Sequence, residues 1–220
     1  MFFAVVALAA SLYPTMAPLV KYQMAPADEI VFARSAAPDS ISKSAEIQVL
    51  TASGYKVAVH GTNGFVCLVE RSWDNAFDDP QFWNPKVRTP QCFNGQAARS
   101  VLPEYLLRTE WVLSGFDRAT VGQRLKGAVS AGQIGEPDRG AMAYMMGKHQ
   151  YINDDAGAWH PHLMFFLPRT PAAQLGADMP GSPIYSFTDS IVPSTVFFVP
   201  VGKWSDGTPY EAPAGHHHHH

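Results

Sequence analysis

The chain has 220 residues, a net charge of −3, and 16% charged against 46% hydrophobic residues. That length suits one domain with a substantial core, and the lack of any Lys/Arg cluster removes the electrostatic footprint of a nucleic-acid or anionic-membrane binder. His216 to His220 form a purification tag, which leaves His60, His149, His160 and His162 as the natural histidines.

Residues 1–11 open with an apolar run, Phe2 to Ala10, that is too short to span a bilayer and ends in small residues. We read it as the remnant of a secretory signal, with Ala7-Leu8-Ala9 fitting the small-x-small cleavage pattern, although the usual basic residue before the apolar core is missing. No second apolar run reaches membrane-spanning length, so an exported protein, periplasmic or extracellular, without an integral membrane segment is expected. Residues 12–45 are rich in Pro and Ala and read as an extended arm with one short helix over 27–35, acidic in its first turn at Asp28 and Glu29. The main domain is expected over 46–208, followed by a tail and the tag at 209–220.

The domain begins with a β-meander pattern. Strand-like runs occupy 47–50, 55–60 and 65–71, and Asn63-Gly64 supplies the dipeptide favoured in tight hairpins, which predicts that the second and third strands pair directly. The third run is apolar on both faces, as a central strand should be. Residues 72–93 form a loop rich in aromatics (Trp73, Phe77, Phe82, Trp83, Phe93) and broken by Pro80, Pro85 and Pro90. It reads as a lid that completes the core or as the wall of a ligand pocket, with Trp73 and Trp83 as ligand-binding candidates. Cys67 and Cys92 are the only cysteines, and a lone pair in an exported chain predicts a disulfide. The closed loop of about 26 residues would stabilise by roughly 3–3.5 kcal/mol in the chain-entropy model. The alternative is two buried free thiols.

Two helices should follow, one over 101–113 capped by Ser100 with a stripe of Leu102, Leu106, Leu107 and Leu113, and one over 118–131 capped by Asp117. A second hairpin is expected from 142–152 and 159–167 around a polar turn at 153–157. A short strand at 184–187 and a last strand at 195–201 complete the pattern. Strands, then helices, then strands, without βαβ alternation, predict a single α+β domain with a mostly antiparallel sheet.

The strongest chemical candidate is the pair His160 and His162. On a strand both imidazoles project to one side, a spacing that suits two ligands of a zinc or copper ion, or an acid/base pair at a pocket rim. With an odd register sum across the hairpin, His149 and Tyr151 would join them; with an even sum, Lys148 and Gln150 would. Trp159 is the adjoining ligand-binding candidate. Glu70, at the end of the buried strand and on the face of Val66 and Leu68, would be partly desolvated and suited to general-base work with the histidines. The chain contains no HExxH, GxSxG, Walker or GxGxxG signature.

The stretches GTNGFVCLVERSW at 61–73 and WHPHLMFF at 159–166 resemble those of exported bacterial proteins of unknown function, over about residues 12–208. The resemblance implies export and supplies no activity or site residue. Three functional readings follow: binding of a small ligand or metal ion at the His-x-His strand, a metal-assisted or acid/base hydrolase using His160, His162 and Glu70, or a cell-envelope interaction module using the loop at 72–93.

Overall fold

Eight strands form one sheet in the order β2-β1-β3-β4-β5-β6-β8-β7, in a computed structural model that describes residues 12–211. The strands are β1 (Glu46–Thr51), β2 (Gly54–Val59), β3 (Val66–Glu70), β4 (Thr89–Phe93), β5 (Met142–Met145), β6 (His162–Pro168), β7 (Tyr185–Thr188) and β8 (Ser194–Pro200). Every pairing is antiparallel except β1 with β3. The helices are α1 (Pro26–Arg34), α2 (Asp39–Ser42), α3 (Gly95–Ser100), α4 (Leu102–Leu113) and α5 (Arg118–Ser130). This is the expected single α+β domain. The signal remnant expected at 1–11 and the tag lie outside the described residues.

The sheet has cores on both faces. On one, Ile47, Cys67, Val69 and Cys92 meet Ala33 and Ala36 at the end of α1. On the other, Leu50, Leu68, Phe93, Met164 and Phe166 meet Trp73, Phe82, Trp83 and the inner residues of α4 and α5. Cys67 and Cys92 stand directly opposite on β3 and β4 and form the disulfide.

The β-meander needs correction. β2 pairs with β1, and β3 lies on the other side of β1, parallel to it through Glu46↔Val66 and Ile47↔Cys67. Asn63-Gly64 therefore closes no hairpin. Asn63 instead folds the crossing loop onto the chain before β1: its side chain donates to the Ile41 carbonyl at 2.8 Å and accepts from Phe65 N at 3.1 Å. At Gly61 a Cβ would lie 2.1 Å from Glu46 N, so only glycine lets the loop pass there.

The loop at 72–93 also ends earlier than expected, because residues 89–93 are the fully buried strand β4. Pro90, which cannot donate to a ladder, obscured it. The aromatic side chains before β4 fill the core, with Trp73 and Phe82 at 0% exposure. Ser100 caps no helix. It closes α3, whose cap is Asn94, while Asp117 caps α5 as expected, accepting from Thr120 N at 2.8 Å. The leucines of α4 pack as expected, Leu102 in the core and Leu106, Leu107 and Leu113 partly buried against it, but Arg108, Thr109 and Val112 are buried on the helix as well. The second hairpin is looser than predicted: β5 ends at Met145 and the chain wanders through 146–161 before β6 begins.

Candidate functional site

β5 and β6 pair as Met145↔His162 and Ala143↔Met164, an odd register sum. Parity alone would bring His149 and Tyr151 to the histidine pair, but the ladder stops at Met145 and they part. His149 is exposed, and Tyr151 bridges Arg88 while its hydroxyl donates to Asp154 Oδ1 at 2.5 Å. His160 and His162 do lie near each other, with ring centroids 6.2 Å apart, and Trp159 packs against both at 4.2 and 4.5 Å. His162 is fully buried; its Nδ1 lies 2.9 Å from the His160 carbonyl, which places the proton on Nδ1. Its Nε2 has no partner. Burial among aromatics lowers the His162 pKa to about 4, so the ring is neutral. Among the described residues no group of three or more His, Cys, Asp or Glu is placed to hold a metal ion.

The acidic chemistry gathers elsewhere on the same sheet face. A cavity of about 350 Å³ lies between the sheet, α4 and the loop after β3. Glu70 from β3, Gln91 from β4, Glu104 and Arg108 from α4, Asp74 from the loop and Asp189 from the turn before β8 form its polar end. Met145, Met164, Phe166, Val196 and Phe198 form an apolar wall. Alternation along the strands explains the division: Leu68 and Glu70 share a face, as do Met164 and Phe166.

Each acid is only partly answered. Glu70 is 7% exposed, and the Thr89 hydroxyl donates to its Oε2 at 3.2 Å. The Gln91 amide, turned with nitrogen inward, faces the same carboxyl. Burial pushes the Glu70 pKa well up, and the nearby Asp74 adds to this. Asp74 is raised to about 7 by burial, against the pull of Arg108; its Oδ2 accepts from Arg71 N at 3.2 Å and its Oδ1 has no partner. Burial raises Glu104 too, although Arg108 Nη1 donates to it at 3.1 Å. Arg108 further reaches the Asn75 carbonyl and lies 4.4 Å from the Phe77 ring centre.

Of the candidate site residues, only Glu70 lines this cavity. The two histidines form a separate, aromatic cluster. Trp73 is held in the core, its Nε1 donating to Thr109 at 2.9 Å, and Trp83 packs edge-on to Phe82. Asp74, Gln91, Glu104 and Arg108 were missed. Their one visible signal was Arg108, charged yet at helical spacing between Val101 and Val112.

No protein-family model, curated protein or solved structure matches the chain.

Proposed function

We propose that the protein binds a small amphipathic molecule in the cavity between the sheet and α4. The supporting observation is the cavity's division: an apolar wall of Met145, Met164, Phe166 and Phe198 facing a polar end of Glu70, Asp74, Glu104 and Arg108. Small-ligand sites combine such walls with a few convergent polar groups and perturbed acids. The reading keeps small-ligand binding from the sequence but moves it from His160 and His162, where the buried imidazole is neutral and closed in by Trp159. Titrating ¹⁵N-labelled protein with 2-phenylethanol, a neutral probe, should shift amides of β6, β8 and α4. A Val196→Phe variant with an unchanged melting curve should abolish those shifts. Equal shifts in that variant would place binding outside the cavity.

One observation favours a second reading, general acid–base catalysis in the same cavity: Asp74 titrates near 7 beside a Glu70 held up by burial. Hydrolysis of an activated ester should then show a pH limb near 7 that Asp74→Asn removes. Turnover unchanged in Asp74→Asn would end that reading. Export is likewise our inference, supported by the Cys67–Cys92 disulfide; no helix among the described residues is long and apolar enough to cross a membrane.

A further inference from the structure

Within the small-ligand reading, the charge balance of the cavity says which head group it takes. The lining carries five acidic side chains, Glu70, Asp74, Asp79, Glu104 and Asp189, and one basic one, Arg108. Arg108 is already shared between Glu104, the Asn75 carbonyl and the Phe77 ring. Asp79 and Asp189 are occupied by local donors: Asp79 accepts from Gln81 N at 2.7 Å, and Asp189 from Ile191 N at 2.6 Å and Val192 N at 2.7 Å. Glu70 meets only neutral side-chain donors, Thr89 and Gln91. Asp74 Oδ1 is a buried oxygen with no hydrogen-bond partner at all. A buried acceptor left in that state carries a desolvation penalty that a ligand donor would recover.

We propose that the ligand is a small organic cation, a primary or secondary amine on an apolar body, with its ammonium at Asp74 and Glu70 and its body along Met164, Phe166 and Phe198. The ammonium supplies the positive charge the lining lacks and donates to the unpartnered Asp74 oxygen, drawing both acids into their ionised form. An anionic ligand would meet the same carboxylates as like charges. The aromatic and thioether wall accepts an alkyl or aryl body and leaves it no polar partner to satisfy.

The test compares three probes that share one body: 2-phenylethylamine, 2-phenylethanol and 3-phenylpropanoate, titrated calorimetrically into the full chain at pH 7. The expected order is amine at least ten-fold tighter than alcohol, with the carboxylate unbound. Asp74→Asn and Glu70→Gln should each weaken the amine ten-fold or more and narrow its margin over the alcohol; two variants guard against one failing to fold. Alcohol and amine binding alike would overturn the cation and leave the cavity standing. Tighter carboxylate binding would overturn it in favour of Arg108 as the anchor. If none of the three binds, the cation and the cavity reading fall together.

Discussion

Glu70 and Arg71 are consecutive in the chain and meet opposite circumstances. Arg71 turns to the α1 side, where its Nη2 donates to Glu29 Oε1 at 2.7 Å, its Nε to the Tyr22 carbonyl at 2.7 Å, and its Nη1 to the Val69 carbonyl. Both members of that ion pair are fully buried. Glu70 turns to the α4 side, into a cavity, with no cation of its own. The last residue of β3 is thus a buried acid that is not answered, and the residue after it a buried charge that is. Answered charges hold a fold together; an unanswered acid beside an empty volume is available to something else.

Breaking the answered side should have the largest effect. Arg71→Met leaves Glu29 as a buried, uncompensated carboxylate, and should cost about 3–5 kcal/mol in urea unfolding. Adding Glu29→Gln should recover part of the loss, because the stranded charge is then removed as well. A loss under about 1 kcal/mol would mean that water reaches Glu29 and the pair is not structural. Next in size is the crosslink on the same face. Cys67→Ala/Cys92→Ala should lose about 3 kcal/mol, the chain entropy of its loop, and a melt in dithiothreitol should reproduce that shift in the wild type.

How far each side could be read in advance follows from the kind of signal involved. The two-sided apolar run at 65–71, the cap at Asp117 and the cysteine pair are local or compositional, and each was legible. The strand order was not: an Asn-Gly pair specifies a turn but not its partner, and here Asn63 bonds back to Ile41, 22 places earlier, in a crossing that only Gly61's backbone allows. β4 was hidden because Pro90 argues against a strand, although Thr89 to Phe93 are all buried. The cavity was least legible. Glu70, Asp74, Gln91 and Glu104 come from four separate elements, and their meeting is a product of topology. The histidines stood out because they are neighbours in sequence, a closeness that carries no information about charge or solvent.

Acid and neutral pH separate the aromatic pocket from the carboxyl cavity. His162 has a folded pKa of about 4, below its ordinary 6.5. Its contribution to stability is complete above 6.5 and is lost as pH falls toward 4, up to about 3 kcal/mol in all. Asp74 has the opposite sign. Its folded pKa of about 7 lies above the ordinary 3.8, so its contribution is complete below 3.8 and is lost as pH rises through 7. Glu70 and Glu104, raised by burial, add to the carboxyl side. Urea midpoints across pH 4.5–7.5 should therefore peak on the acid side of neutrality. His162→Phe should move the peak to lower pH, and Asp74→Asn should move it to higher pH. A peak that ignores His162→Phe would show that its imidazole is protonated in the folded state.

The smallest expected effect closes the contrast between residues 70 and 71. Below its raised pKa, Glu70 is a neutral acid held by Thr89 and Gln91, and glutamine has nearly its shape and can take up the same two contacts. At pH 5, Glu70→Gln should therefore change unfolding free energy by less than about 1 kcal/mol, the scale of one exchanged hydrogen bond. Toward pH 8 the variant should become the more stable form, because the wild type must then bury an ionised carboxylate without a partner, or hold it protonated against the solvent. Arg71→Met should be damaging across that whole range, because it removes the bonds to Glu29, Tyr22 and Val69 at every pH. If Glu70→Gln were as damaging as Arg71→Met at pH 5, Glu70 would be an ionised structural residue, and residues 70 and 71 would not differ in the way their hydrogen bonds indicate.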